Sequence, residues 1–376
     1  MIKVVNICSD TNIGGAGRCI LTFLKHYDRS KFDVSVILPP ESKLSDAVRA
    51  LDTQVIEGHG LQDKSMSLPA VRSLRGILKE IKPDIVHTHG AMSGRIAAKI
   101  CRCGIVYTRH SVFPVSGRLS KNPGKWINGH VNEFFADAII AVAEAAKENL
   151  VDSGVSPEKI AVILNGVEQQ PRITQARYNE LRGSYGIDDG CFTAGIIARL
   201  EDIKGHRFLI EAVQELRSEG RNIKVLIAGV GGNAEALKHL TVDMGLGDSV
   251  VFTGFLDKVY EVLGILDVQI NASYGTEATS LALLEGMSMG LPAIVSDYGG
   301  NPGVITHGKN GLIFPSEDSG ALADCMREVM DDNALLKRLS GGAKEVYEKK
   351  FTAVRYTRDI EDLYKIIYMK RGRYNG

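Results

Sequence analysis

Short apolar runs rich in Val and Ile alternate with helix-length amphipathic stretches, and the alternation runs once, lapses, and starts again. Residues 2–8, 32–38, 84–88, 105–108 and 138–142 read as buried strands, with helical stretches such as 16–24 and 68–81 between them. Strands that are apolar throughout need cover on both faces, which is the condition of a parallel sheet with crossover helices. A second series follows at 191–198, 224–228, 250–252, 268–270 and 293–296, with helices expected at 204–219, 235–244, 257–263 and 280–289. The fold class predicted is therefore α/β, as two doubly wound, Rossmann-like halves of similar size. The stretch 169–190 is polar, holds Pro171 and shows no strand pattern. It reads as a linker between a first domain at 1–168 and a second at 191–353. Helices at 319–330 and 333–347 fall in the second domain. A helix within 354–376 is followed by the basic residues Lys370, Arg371 and Arg373.

A length of 376 residues suits two or three domains, and 44 % hydrophobic with 24 % charged residues excludes wholesale disorder. The 45 Lys and Arg are balanced by 45 Asp and Glu. A chain built to grip nucleic acid by charge would not balance so, and no nucleic-acid partner is expected. The neutral total hides an asymmetry, because residues 1–168 carry 21 cations against 17 anions and the remainder 24 against 28. Residues 85–132 hold Arg95, Lys99, Arg102, Arg109, Arg118, Lys121 and Lys125 and no acid. Six cysteines are scattered without zinc-ribbon spacing, so free thiols in a reducing cytosol are expected, with Cys101 and Cys103 read as packing. The opening residues pass straight into a strand pattern with no signal-peptide form. The most apolar run, 136–146, contains Asp137 and Glu144 and is too short to span a bilayer. A cytoplasmic protein is expected, with association at the inner membrane face left open.

Open parallel sheets bind ligands at the carboxyl ends of their strands. Three loops there are candidates. Residues 10–18 carry Gly14, Gly15, Gly17 and Arg18 before a helix, where glycines admit an anion and the helix N-terminus offers free N–H groups. They also suit a plain tight turn. Gly229-Val230-Gly231-Gly232-Asn233-Ala234 fits the loose form of a dinucleotide fingerprint, but the acid expected about 20 residues on is missing. Arg199 and Lys204 follow the strand 191–198 and aim two cations at the ligand edge, or are solvated surface.

The segment 277–292 is the most informative. Thr279 or Ser280 can cap a helix, and Gly290 and Pro292 end it. Glu285 stands on an otherwise apolar helix, where an unpaired carboxylate is costly, so a hydrogen-bonding partner such as a ribose is expected. Glu277 precedes the helix N-terminus. By spacing alone the pair could be two surface glutamates.

Glu277 and Glu285 resemble the E-x7-E motif of the family 4, group 1 glycosyltransferases, which have two Rossmann-like domains facing across a cleft in the GT-B fold. The resemblance extends over nearly the whole chain. Gly14-Gly15-Ala16-Gly17-Arg18 resembles the family's first glycine loop, Val86-His87-Thr88-His89-Gly90 its His-x-His-Gly strand end, and Tyr107-Thr108-Arg109-His110 the segment with the acceptor-side histidine. Asn165-Gly166-Val167, Arg199, Lys204-Gly205, Phe252-Thr253-Gly254-Phe255, Gly299-Gly300 and Asn310-Gly311 match later motifs in order. Many members read Glu-Gly-Phe-Gly where this chain has Glu277-Ala278-Thr279-Ser280, a form similar to a branch linked to bacterial polysaccharide assembly.

The resemblance implies a retaining, metal-independent hexosyltransferase. A nucleotide-diphospho-sugar, UDP-sugar favoured, is then the substrate rather than a cofactor, and the C-terminal helix crosses back to the first domain. It implies His110, Glu277, Arg199 and Lys204 as catalytic residues. The donor would be held by Gly14, Gly15, Arg18, Arg199, Lys204, Gly229, Gly254, Phe255, Glu277, Thr279, Ser280, Leu281 and Glu285. Within that set, Arg199, Lys204 and the Ser280 helix terminus would offset the leaving diphosphate, Glu277 would hold the sugar and Glu285 the ribose. No metal site is expected. His87 and His89 are read as pointing to opposite faces of their strand, one buried and one at the ligand edge.

The alternatives are a nucleotide-sugar epimerase on the same fold, an NAD-dependent oxidoreductase using the Gly229 loop, and a non-catalytic sugar-nucleotide sensor. The acceptor is not specified by the sequence. The acid-free stretch 85–132 is expected to meet an anionic or lipid-linked acceptor, or an anionic membrane face near Arg118, Lys121, Lys125 and Trp126.

Overall fold

The computed structural model describes residues 1–61, 66–113, 115, 117 and 121–372. The chain divides into two compact units, one of Met1–Gly166 with the segment from Ala353 onward, the other of Val167–Thr352.

Among the described residues of the first unit, β1 (Ile2–Cys8), β2 (Phe32–Leu38), β3 (Gln54–Glu57), β4 (Ile85–His89), β5 (Gly104–Arg109), β6 (Ala138–Ala141) and β7 (Ile160–Val162) form a parallel sheet in the order β3-β2-β1-β4-β5-β6-β7. The chain crosses between strands through α1 (Gly15–His26), α2 (Leu44–Arg49), α3 (Leu68–Ile81), α4 (Met92–Ile100), α5 (Gly124–Phe134) and α6 (Glu144–Asp152). Val5, Ile7, Ile37, Val86 and Ile105 of the sheet pack with Leu74, Leu78, Ala97 and Ala98 of α3 and α4. The order reverses direction beside β1, between β2 and β4, which is the switch point of a doubly wound sheet.

The second unit opens with α7 (Gln175–Ser184) and continues through β8 (Phe192–Ile197), α8 (His206–Ser218), β9 (Ile223–Ala228), α9 (Ala234–Asp243), β10 (Val250–Gly254) and α10 (Val259–Leu263). β11 (Val268–Asn271), α11 (Leu281–Met289), β12 (Ala293–Ser296), α12 (Asn301–Val304), β13 (Gly311–Phe314), α13 (Ser319–Asp331) and α14 (Asn333–Lys350) complete it. The sheet order is β10-β9-β8-β11-β12-β13, again parallel. Ala194, Ile196, Val225, Ile227 and Ile294 meet Leu209, Val213, Leu322 and Met326 on one face.

The expected linker at 169–190 is a correction. Thr174 Oγ1 accepts from Arg177 N at 3.2 Å and starts α7. Leu181 and Ile187 then enter a buried cluster with Leu226, Val262, Leu263, Leu266 and Leu291. Burying two such side chains stabilises by about 1.5–3 kcal/mol each. Of the polar residues of that helix, Gln175, Asn179 and Glu180 face solvent, while Arg182 is buried and donates to Asp188 O at 2.8 Å.

The last helix, α15 (Ala353–Lys370), packs in the first unit. Its Tyr364 is fully buried, edge-on to Phe23 of α1 and Phe32 of β2. Its hydroxyl lies 2.6 Å from His87 Nδ1.

Candidate active site

In the second unit the loops leaving β8, β9, β10, β11 and β12 all emerge at the carboxyl edge of the sheet, and they are knitted together by backbone. Leu200 N donates to Val230 O at 3.0 Å, Gly229 N to Gly254 O at 2.8 Å, and Asn233 N to Leu200 O at 3.0 Å. Gly229 has φ 144°, and a methyl group there would lie 1.9 Å from Ala198 O. That close approach requires the glycine without any ligand. Gly254 has φ 72° with open space around it, and Phe255 beyond it is exposed.

Lys204 and Glu277 meet at this edge. Lys204 Nζ lies 2.8 Å from Glu277 Oε2, with the two side chains only 14 % and 7 % exposed. Ser273 Oγ donates to the same carboxylate oxygen at 3.1 Å. Gly205, at φ 70°, brings the Lys204 turn against the end of β11, since a Cβ there would lie 2.0 Å from Ala272 O. Gly300 N donates to Glu277 O at 3.1 Å, and a Cβ on Gly300 would come 1.5 Å from Ala278 O. The late glycines thus let one backbone lie directly on the Glu277 turn.

Ser280 caps α11, its Oγ accepting from Leu283 N at 3.3 Å, and Gly290 at φ 82° ends it. Thr279 Oγ1 donates to Ala278 O at 2.8 Å, and Leu281 is the first helical residue. Glu285 is buried on this helix. Arg199 is placed differently from Lys204. Its guanidinium is 67 % exposed and paired with Glu201 at 2.6 Å. An exposed pair of this kind contributes at most about 1 kcal/mol and exchanges readily for another anion.

In the first unit, Gly14 is the N-cap of α1 and has no side chain to satisfy the first-turn N–H groups. Gly15 has open space around its Cα. Arg18 lies one turn into the helix, where burial lowers its guanidinium pKa. Across β1, β4 and β5, three neighbouring strands, stands a row of polar side chains. Asn6 Oδ1 is 3.1 Å from His89 Nε2, and His89 Nδ1 is 2.8 Å from His110 Nε2. His87 Nε2 is 2.6 Å from Thr108 Oγ1.

The rings of His87 and His89 lie 4.3 Å apart, which corrects the expectation of opposite faces. Side chains alternate with a period of two, so residues two apart share a face. Burial pushes the His110 imidazole down to about 4 and His87 to about 3. Desolvation, followed by the neighbouring His87 and His110, holds His89 well below the usual histidine range. All three are neutral at pH 7.

Asn6 and Ser273 were not singled out by sequence for this edge, and of His87 and His89 one was expected there. The signal for Asn6 was present: a polar residue in the middle of an apolar strand must find a partner.

The acid-free stretch 85–132 is not a uniform basic surface. Arg95 is buried, 4.3 Å over the Tyr107 ring, with Asn132 Oδ1 accepting from it at 3.1 Å. Arg109 donates to Ser111 O at 3.0 Å and covers Phe113. Lys99 stands 4.4 Å over the Phe134 ring. Lys121 is exposed and Lys125 half-buried, while Arg118 lies outside the described residues. On α5, Trp126 is 59 % and Phe134 60 % exposed, with Ile127 and Val131 exposed between them. No helix among the described residues is long and apolar enough to cross a membrane.

Two family models match the chain one after the other. Residues 13–170 match the model described as Glycosyltransferase Family 4, and residues 178–346 the model described as Glycosyl transferases group 1. The chain is 28 % identical over 313 residues to an uncharacterized glycosyltransferase of Methanocaldococcus jannaschii, covering 79 % of each. It is 27 % identical over 383 residues to the UDP-Gal:alpha-D-GlcNAc-diphosphoundecaprenol alpha-1,3-galactosyltransferase of Escherichia coli, covering 96 % of each. Among solved structures, Anabaena HepE in complex with UDP and glucose has a TM-score of 0.85 at 20 % identity, over 97 % of this chain and 100 % of that one. At that identity the likeness concerns the fold, which is the GT-B pair of Rossmann-like sheets. Neither the epimerase nor the NAD-dependent alternative gains support from these matches, and Gly229 is accounted for by backbone packing. The two family models take up most of the chain in direct succession, and the chain belongs to the family 4, group 1 glycosyltransferases.

Proposed function

We propose that this glycosyltransferase moves a hexose from a nucleoside diphosphate sugar, UDP first among them, to a hydroxyl of an anionic or lipid-linked acceptor with retention at the anomeric carbon. The observation that carries this reading is the buried Lys204–Glu277 pair just before the Ser280-capped end of α11. A cation and a helix N-terminus suit a diphosphate, and a carboxylate suits sugar hydroxyls. In the step itself, the bond from the anomeric carbon to the diphosphate oxygen breaks as the acceptor oxygen bonds on the same face. The acceptor proton passes to the leaving phosphate oxygen. The charge that develops there is met by Lys204, by Arg199 released from Glu201, and by the α11 N–H groups. Glu285 holds the ribose. In the second unit, Gly254 and Phe255 flank the base, and in the first, Gly14, Gly15 and Arg18 are anion-binding groups. His110 meets the acceptor side. UDP is favoured because the E. coli relative is named for UDP-Gal and HepE was solved with UDP.

The acceptor reading rests on α5, where exposed Trp126, Ile127, Val131 and Phe134 accompany Lys121 and Lys125. Such a surface suits an anionic lipid headgroup layer, at about 1 kcal/mol per well-placed cation. The test is a thermal-shift panel of UDP-, GDP- and ADP-sugars, followed by mass spectrometry of products with undecaprenyl-diphosphate-linked and soluble sugars as acceptors. Stabilisation by UDP-sugars with a new glycoside is expected, and donor binding without any glycoside product would refute transfer. Flotation on phosphatidylglycerol vesicles tests the membrane part. Lys121→Ala/Lys125→Ala/Trp126→Ala is expected to float less than wild type, and equal flotation removes that part.

A further inference from the structure

We propose that Asn6 and His89 are positioning residues that fix His110 as its Nε2–H tautomer, leaving Nδ1 as a bare hydrogen-bond acceptor at the carboxyl edge of the first sheet. The inference rests on the reading of His110 as an acceptor-side residue. The sheet itself builds the row: Asn6 pairs in register with His87 and Cys8 with His89 on β4, and β5 leads directly into His110.

A neutral imidazole has one N–H and one lone pair, so each hydrogen bond dictates the next. Asn6 Oδ1 can only accept, so His89 Nε2 carries the proton across the 3.1 Å contact. His89 Nδ1 is then the lone pair and accepts from His110 Nε2 at 2.8 Å. His110 Nδ1 is left without a proton, and among the described residues it makes no hydrogen bond. Desolvation favours the neutral form at both rings, with His89 5 % exposed and His110 half-buried beside it. His87 does not compete for the row, because its two nitrogens are held by Tyr364 and Thr108. A bare Nδ1 holds a substrate hydroxyl by its proton. The opposite tautomer would donate to that hydroxyl instead of accepting from it.

The test reads the tautomer directly, by long-range 1H–15N correlation on protein labelled with 15N-histidine, with the nine histidines separated using His110→Gln and His89→Gln. His110 is expected as Nε2–H in wild type. It should become a tautomer mixture in Asn6→Leu and return to Nε2–H in Asn6→Asp, whose carboxylate can only accept. Hydrolysis of UDP-glucose without added acceptor is expected to fall about tenfold in kcat in Asn6→Leu with KM unchanged, and to recover in Asn6→Asp. Nδ1–H at His110 in wild type, or an unchanged tautomer in Asn6→Leu, overturns the proposal. Should wild type fail to turn over UDP-glucose, the donor reading fails and the tautomer measurement still decides this one.

Discussion

Lys204 and Glu277 stand 73 positions apart in the chain, yet their side chains meet at 2.8 Å with almost no access to water. Each neutralises the other where a lone charge would be costly. Removing one partner of such a pair destabilises by about 3 kcal/mol, because the other remains buried and uncompensated. Lys204→Ala should therefore lower the urea midpoint strongly, and the double variant Lys204→Ala/Glu277→Gln should recover part of the loss. Turnover should stay reduced in both, by at least about a hundredfold. Recovery of turnover along with stability would show that the pair only holds the fold.

Arg199 offers the opposite contrast. Its guanidinium is exposed and its partner Glu201 is half in water. Arg199→Ala should leave the urea midpoint within about 0.5 kcal/mol of wild type. Its rate should nevertheless fall about a hundredfold if the guanidinium moves onto the leaving diphosphate. Assay of kcat beside a denaturation curve separates the two effects, and a wild-type rate would remove Arg199 from the chemistry.

The paired sheets could be read in advance because β1, β2 and their counterparts β8 and β9 are covered on both faces, which leaves continuous Val/Ile runs in the sequence. The edge strands β3, β7 and β13 were missed. Gln54–Glu57 is half exposed and Ile160–Val162 is three residues long, so neither carries a distinctive pattern. Helix α7 was hidden for a related reason: its single buried stripe is diluted by solvent-facing polar residues. At the site, the loops and the capped helix were legible from local spacing. The Lys204–Glu277 contact and the Asn6–His89–His110 row were not, because they join distant strands through the register of the sheets.

Two glycines, Gly300 on the Glu277 turn and Gly15 at the start of α1, separate packing from binding. At Gly300 the backbone is ordinary, and the conflict is one of space with Ala278 O. Gly300→Ala must push the Glu277 turn aside, and a loss of about 3 kcal/mol is expected together with turnover. Gly15 is a first-turn helical residue with nothing within 4 Å of an added methyl. Gly15→Ala should leave the melting temperature unchanged or slightly raised. If the α1 N-terminus approaches a phosphate closely, the same variant raises KM for the donor. A Gly15→Ala enzyme with unchanged stability and unchanged KM would place the donor elsewhere.

Acid should weaken the fold through its buried histidines. Desolvation holds His87 near 3, His110 near 4 and His89 well below the usual range in the first unit. In the second unit, His206 is pushed down to about 4 by burial, with Lys204 adding to the effect. In the unfolded chain each imidazole titrates near 6.5. The unfolded state therefore binds more protons than the native one between about pH 6.5 and 4, and stability falls as pH drops through that window. The contribution is fully present above the unfolded value. It declines by up to about 1.4 kcal/mol per pH unit for each histidine. Urea midpoints at pH 7.5, 6.5, 5.5 and 5.0 should be level between the first two and fall steeply over the last two. A midpoint independent of pH down to 5.0 would mean that these rings take up protons inside the folded protein, and the neutral Asn6–His89–His110 row would not survive that result.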